Sequence, residues 1–399
     1  MKYIVLVADG MADYPLEELG NRTPLEVAKT PNLDFIAQHG RLGRVKTIPD
    51  KMAPGSDVAN ITIMGYDARK FYTGRGPLEA ANLGVELGPG DFAFRCNLIT
   101  AVEDKLVDYS AGHINSKESS ILIKFIDEKL GNDKIGFYPG VSYRHLMVVK
   151  SGLEEHLEDL KCVPPHDITG QSISKNLPKG KNAEFLIKLM QDSKKLLEAH
   201  EINQVRIDLK ENPANMIWLW GQGCKLDIPK FTEKYGLTGS IISAVDLLKG
   251  LGRIIGLEVI NVPGATGYYD TDYAGKANAA LMSLEEKDFV FVHVEAPDEA
   301  GHNGDLREKI IAIERFDHLV LGRILKDFKR KKNFRILVLP DHATPVSLRT
   351  HVSSPVCFGV FGKDIVGRAF LNYSEKEAEK SDFYFENGYE LMDYLIKGD

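Results

Sequence analysis

Cysteine is scarce in this chain. There are four in 399 residues, Cys96, Cys162, Cys224 and Cys357, and no two of them form a C-x-x-C pair. That spacing excludes a disulfide framework and a zinc-finger module, and it suits a reducing compartment. Long apolar runs are missing as well, so no segment reads as a membrane span. Basic charge is not in excess: the formal net charge is −7, which removes the electrostatic motive for nucleic-acid or membrane binding. The N-terminus enters a strand directly, with no basic stretch ahead of a long apolar one, and the expected location is the cytoplasm. No G-x-x-x-x-G-K-[ST] loop is present for a nucleoside triphosphate. The run from Gly250 to Gly256 superficially resembles a dinucleotide loop, but it falls inside a helix and precedes a strand instead of following one.

The composition is that of a globular protein, 43% hydrophobic and 27% charged. The length favours two domains. Apolar runs at 2–8, 240–244, 257–262, 288–294 and from 336 onward read as buried strands of a parallel sheet. Helical patterns between them cover 33–39, 58–64, 245–255, 272–284 and 306–329. Between about 90 and 238 the texture changes to hairpins and short strands with local connections, including 91–100 with 101–110, 134–138, 143–150 and 216–220, beside helices at 116–130 and 182–200. This predicts an α+β domain, 90–238, inserted in an α/β core formed by 1–89 and 239–399.

The chemistry concentrates at strand ends. The first strand stops at Asp9-Gly10. The run D-F-V-F-V-H-V passes into Glu295-Ala296-Pro297-Asp298-Glu299-Ala300-Gly301-His302, and I-L-V-L-P passes into Asp341-His342, with His351 after a short loop. Functional crevices of open α/β sheets lie outside the carboxyl ends of the strands. Asp9, Asp298, His302, Asp341, His342 and His351 therefore converge on one edge if the three strands share a sheet. Three carboxylates and three imidazoles suffice for two divalent metals, a known arrangement for displacement at phosphorus. Asp298 and His302, four apart, share one face of a helix. Ser56 follows Pro54-Gly55 and opens a helix. Locally it reads as an N-cap, yet the same place is an anion site and could carry a nucleophile. In the predicted insert, His113, Arg144 with His145, and His166 with Asp167 offer polar groups for an anionic substrate.

Val7-Ala8-Asp9-Gly10-Met11, Thr30-Pro31-Asn32-Leu33-Asp34, Pro54-Gly55-Ser56-Asp57-Val58-Ala59, Gly74-Arg75-Gly76-Pro77, Asp298-Glu299-Ala300-Gly301-His302, Pro340-Asp341-His342-Ala343-Thr344 and His351 span most of the chain. In that order they resemble the cofactor-independent phosphoglycerate mutases of the archaeal type, within the alkaline phosphatase superfamily. The resemblance implies an alkaline-phosphatase-like core with Ser56 as a transiently phosphorylated nucleophile. It implies one metal surrounded by Asp9, Ser56, Asp341 and His342, and a second surrounded by Asp298, His302 and His351. The metals would be Mn²⁺, Zn²⁺ or Co²⁺, with no organic cofactor. Lys249 resembles a lysine that bridges to the phosphoryl group, and His113, Arg144 and Asp167 lie where the family binds its small phosphorylated substrate. The implied reaction moves a phosphoryl group from 3-phosphoglycerate to Ser56 and back to the 2-hydroxyl, with the insert closing to exclude water. Two other readings stand beside it: a homoserine kinase-like phosphotransferase of the same branch, and a binding protein that retains the metal site.

Overall fold

The computed structural model describes residues 1–153, 156–328 and 333–398. The chain forms two compact units, 1–72 with 228–399, and 73–227. In the first, β1 (Lys2–Ala8) and β2 (Arg41–Val45) come early. The second holds β3 (Phe92–Val102), β4 (Lys105–Asp108), β5 (Ile135–Val141), β6 (Arg144–Val149) and β7 (Met216–Cys224). The chain then returns to the first with β8 (Gly239–Ile242), β9 (Glu258–Val259), β10 (Phe289–Val294), β11 (Phe334–Leu339), β12 (Val356–Gly362) and β13 (Tyr384–Phe385).

The first unit is a mixed α/β fold around one sheet of order β13-β2-β12-β11-β1-β10-β8-β9. Its middle is parallel, and its register sets everything that follows. Val7 lies opposite His293 on one side and Leu339 on the other, and Ala8 lies opposite Val294. Three strands thus end level, and whatever follows each of them meets at one edge. Ile4 to Ala8, Phe289 to Val294 and Ile336 to Leu339 are completely buried, as strands covered on both faces must be. Each such aliphatic or aromatic side chain contributes about 1.5–3 kcal/mol by leaving water.

The sheet is not wholly parallel, as the sequence pattern had suggested. β12 runs antiparallel to β11, and β2 antiparallel to β12. Parallel neighbours need a crossover, usually a helix. The chain from Leu339 to Val356 forms no helix and carries Asp341, His342 and His351 instead. It turns straight back. The strand expected over 257–262 shrinks to the two-residue edge strand β9.

The unit boundaries also move from the expected 90 and 238 to 73 and 227. Helix Gly76–Leu83 packs on β3 and β7, so it belongs with the second unit, while Phe231 stacks on Phe289 of β10, with ring centroids 4.5 Å apart. The second unit is built on a five-stranded sheet, β4-β3-β6-β5 with β7 on the other side of β3, and helices Ser116–Leu130 and Ala183–Glu198 pack over it. It has its own core, including Phe94, Leu98, Ile123, Leu186 and Trp218. β3 continues to Val102 before the turn, beyond the predicted 100. The expected helix over 182–200 ends at Glu198 and is followed by a second helix, Glu201–Asp208.

The long helix expected over 306–329 is Leu306–Arg315, then a π segment Phe316–Leu321, then Gly322–Phe328; residue 329 lies outside the described residues. The π segment presents Asp317 to helix Pro31–His39. Thr30 precedes that helix but makes no side-chain cap bond. Instead Asp317 Oδ1 accepts from the amides of Leu33 (2.7 Å) and Asn32 (3.1 Å), and Oδ2 accepts from Asn32 Nδ2 at 2.9 Å. A distant carboxylate satisfies the free amides of the first turn and meets the positive end of the helix dipole. Asp317→Ala should lower unfolding stability by about 1–3 kcal/mol, the cost of losing a cap and stranding buried donors. Urea unfolding measures this, and an unchanged midpoint would exclude the capping role.

Candidate functional site

Asp9 directly follows β1, and Asp341 stands two residues past the end of β11. Both are buried, at 3% and 0% exposure. Gly10 makes the turn after Asp9 in a left-handed conformation, φ 61°. It has no room for a side chain, because a Cβ there would lie 2.6 Å from Asp298 Oδ1. Its amide donates to Asp341 Oδ1 at 3.2 Å, and the amide of His342 donates to the same oxygen at 2.9 Å.

Asp298 and His302 lie on helix Ala296–Asn303, which begins as soon as β10 ends. One helical turn brings His302 Nε2 to 3.2 Å from Asp298 Oδ2. His351 Nε2 stands 3.4 Å from Asp298 Oδ1 and 2.8 Å from His302 Nε2. Ser56 is the first residue of helix Ser56–Ile63 and does not cap it; Gly55 holds the N-cap position. The expected local role gives way because Ser56 Oγ points across the edge to His342 Nε2, 3.1 Å away. His342 Nε2 is also 3.4 Å from Asp9 Oδ1 and 3.6 Å from Asp341 Oδ2, while its ring lies 4.1 Å from that of His351, centroid to centroid. His342 therefore stands between the two groups of ligand-type side chains.

Of the seven residues expected as metal ligands, all meet at this edge. At this edge, two groups among the described residues have the spacing to hold an ion: Asp298, His342 and His351 form one, and Asp9, His293 and Asp341 the other. Burial and the negative charges of Asp341 and Asp298 push the Asp9 carboxyl well above its usual range. Burial acts the same way on Asp298, but hydrogen bonds from His302 and His351 outweigh it and hold that carboxyl well below its usual range. Burial opposes a charge on His302, yet Asp298 raises it to about 9. Asp9 Oδ1 and His293 Nε2 are buried without a hydrogen-bond partner among the described residues. Unpaired buried acceptors beside other carboxylates call for positive charge. The mixed carboxylate and imidazole donors suit a divalent cation.

His293 and Asn60 were not singled out from the sequence, and Thr344, Glu295 and Lys276 were assigned no role. Asn60 Nδ2 donates to Asp341 Oδ2 and to the Ser56 carbonyl, both at 2.8 Å, tying the serine's helix to the edge. Thr344 Oγ1 donates to Asp298 Oδ1 at 2.5 Å and lies 3.2 Å from His342 Nδ1. Behind it, buried Lys309 bonds Asp13 (2.6 Å) and the Thr344 carbonyl (2.7 Å), pinning the loop. The one signal available beforehand was an imidazole inside the otherwise apolar run F-V-F-V-H-V, with a glutamate two residues on and so on the same face.

Lys249 sits half-buried on helix Asp246–Ile254, which packs against helix Ser56–Ile63. Among the described residues it makes no hydrogen bond or ion pair with the cluster.

In the second unit, His113 packs edge-on to Tyr143, with centroids 6.1 Å apart, and the Arg144 guanidinium lies 5.8 Å from the Tyr143 ring. Tyr143 continues through Tyr109 to His166 and on to Trp220. Arg95 stacks on Trp220 at 4.5 Å and pairs with Glu79 at 3.2 Å, while Arg75 approaches the same indole at 5.7 Å. Burial first, and then the positive charges of Arg75 and Arg144, oppose the charge on Arg95 against the pull of Glu79. The positive charges of Arg75 and Arg144 thus reach Arg95. Arg75 and Arg95 were not singled out from sequence. Asp167 is exposed, 3.6 Å from His166 Nε2. His145 is structural: its Nδ1 accepts from the Gly140 amide at 3.0 Å, and burial pushes its pKa down to about 3.

The fold and this edge define a class: an α/β protein whose central sheet gathers a serine hydroxyl and two sets of metal-type ligands at one strand edge. The particular family follows from comparison with known proteins. A family model described as 2,3-bisphosphoglycerate-independent phosphoglycerate mutase matches residues 37–203. A Methanosarcina barkeri protein of that name is 50% identical over 399 residues, covering 100% of both chains. A solved Pyrococcus horikoshii protein superposes with TM-score 0.83 at 30% identity, covering 99% of this chain and 96% of its own. The cofactor-independent phosphoglycerate mutase of Thermoplasma acidophilum gives 0.67 at 27% identity, covering 100% and 99%. The chain belongs to the 2,3-bisphosphoglycerate-independent phosphoglycerate mutases.

Gly10→Ala should strain a left-handed turn and displace Asp298, costing about 1–3 kcal/mol and weakening any binding of a divalent cation at this edge. Calorimetry on the variant reads both quantities, and wild-type values for both would show that the close approach is immaterial.

Proposed function

We propose that the chain interconverts 3-phosphoglycerate and 2-phosphoglycerate through a phosphoserine at Ser56, with no bisphosphoglycerate. The observation that carries this is the Ser56 hydroxyl, 3.1 Å from His342 Nε2 at a strand edge crowded with carboxylates and imidazoles. Two divalent cations fit the two donor groups. Mn²⁺, Zn²⁺ and Co²⁺ all suit mixed Asp and His ligation, and when bound they would ease ionisation of the hydroxyl and offset charge on the moving phosphoryl group.

The chain's own residues do the rest. Ser56 Oγ attacks the phosphorus of 3-phosphoglycerate, the bond from phosphorus to the 3-oxygen breaks, and that oxygen takes a proton. The new phosphoserine sits on the first residue of a helix, where the free amides and the dipole favour its negative charge. The glycerate turns, its 2-hydroxyl attacks the phosphoserine, and Ser56 is released as the hydroxyl. Asn60 holds the start of the helix to Asp341 so that Oγ keeps its aim. The arginine group of the second unit supplies recognition of the substrate's anionic end. Lys249, His113 and Asp167 are proposed as supporting polar groups for the same substrate, on the family resemblance. The four free thiols, two of them buried, fit a cytoplasmic enzyme.

Ser56→Ala should abolish mutase turnover in an enolase-coupled assay lacking bisphosphoglycerate while leaving divalent metal bound. Full activity in that variant sinks the phosphoserine, and turnover of homoserine with ATP in place of mutase activity would favour the kinase reading. Removal of metal with a chelator should stop turnover and added Mn²⁺ restore it. Arg75→Ala and Arg144→Ala should each raise KM about 10- to 100-fold, the size of one lost charge-assisted hydrogen bond. Unchanged KM values would take the arginine group out of substrate recognition.

A further inference from the structure

His293 lies at the third position back from the helix that carries Asp298, inside the most buried part of the sheet, with no exposure at all. A histidine with no water and no role is costly there. Its two ring nitrogens face different surroundings. Nδ1 lies 3.1 Å from Glu295 Oε1. Nε2 faces Asp9 Oδ2 at 3.3 Å and Asp341 Oδ2 at 3.8 Å, and has no hydrogen-bond partner among the described residues.

These separations are long for hydrogen bonds but natural for ligands of one ion. Donors held about 2.1 Å from a tetrahedral centre stand about 3.4 Å from one another. Asp9, His293 and Asp341 each offer a ligand atom, and the three atoms lie within 4.8 Å of one another.

The other side of the ring is firmly held. Glu295 Oε1 also accepts from Ser243 Oγ (3.0 Å) and the Ala244 amide (3.1 Å), and Oε2 accepts from Lys276 Nζ at 2.8 Å. Lys276, a lysine with no exposure, gives a second bond to the His293 carbonyl at 2.8 Å. Glu295 thus has four donors, and burial notwithstanding, Lys276 and His293 hold its carboxyl far below the usual range. With Lys276 on Oε2, Oε1 is left facing Nδ1, and that contact turns Nε2 toward the two aspartates. A carboxylate behind a histidine in this manner is the usual outer support of a metal-bound imidazole.

We infer that His293 is a ligand of the cation held by Asp9 and Asp341, and that Glu295 and Lys276 are positioning residues that hold its ring for that task. This rests on the two-metal reading proposed above. It makes that site one imidazole richer than the sequence suggested, and groups His342 with Asp298 and His351.

The test is Mn²⁺ binding to metal-free protein, followed by calorimetry and by electron paramagnetic resonance. Wild type should take two ions. His293→Leu, which cannot ligate and roughly keeps the volume, should bind one of them at least about 100-fold more weakly and leave the other unchanged. Glu295→Gln, which keeps the shape but loses the charge, should weaken the same ion about 10- to 100-fold. Two ions bound by His293→Leu as in wild type would overturn the inference while the two-metal reading stands. No ion bound by wild type would overturn both. Should His293→Leu fail to fold by circular dichroism, Co²⁺-loaded wild type labelled with ¹⁵N-histidine decides. Four histidines with paramagnetically shifted ring resonances support the inference, and three refute it.

Discussion

Everything at the functional edge answers one constraint: three carboxylates, Asp9, Asp298 and Asp341, are taken out of water within a few ångströms of one another. Unpaired, such charges cost several kcal/mol each, and burial with the neighbouring Asp341 and Asp298 raises the Asp9 carboxyl accordingly. The surroundings are arranged to bear it. Asn60 and the amides of Gly10 and His342 satisfy Asp341. Thr344, His302 and His351 satisfy Asp298. Asp9 Oδ1 and His293 Nε2 remain without a hydrogen-bond partner among the described residues.

That constraint explains features remote from the chemistry. The glycine after β1 is required because Asp298 packs where a side chain would go. The buried Lys309–Asp13 pair is an expensive device for a loop, but it fixes the segment that delivers His342 and Thr344. A buried ion pair of this kind adds little net stability; its effect here is to hold the loop in one place. The Lys276–Glu295 pair holds β10 in the same way. The second unit solves the opposite problem. It gathers positive charge, with Arg75 and Arg95 both near the Trp220 indole and the Arg144 charge reaching Arg95.

Much of the first unit was legible. β1, β10 and β11 are runs of apolar residues buried on both faces, and such runs announce themselves by composition alone. Their ends were therefore readable as an edge, and so were the acids and imidazoles just past them. What failed did so for identifiable reasons. The serine looked like a cap because its true partner, His342, is nearly three hundred residues away. The cap of helix Pro31–His39 was not legible because the carboxylate that does the capping arrives from the π segment. The antiparallel return of β12 was hidden because a loop and a crossover read alike. His293 was overlooked because a single polar residue in an apolar strand shows no pattern, and only its neighbours give it a meaning. In the second unit the arginines were scattered through two strands and a loop, and only the tertiary structure brings Arg75 and Arg95 to one indole.

The sequence by itself determined which residue types stand at strand ends, since burial on both faces leaves a compositional trace and chain punctuation marks where each strand stops. Only the tertiary structure decided which of those residues face one another. Register across β10, β1 and β11 places three ends level, and a one-residue slip would turn every side chain to the other face of the sheet. The grouping of His342, the inclusion of His293 and the aim of Ser56 follow from that register and not from any local preference of the chain.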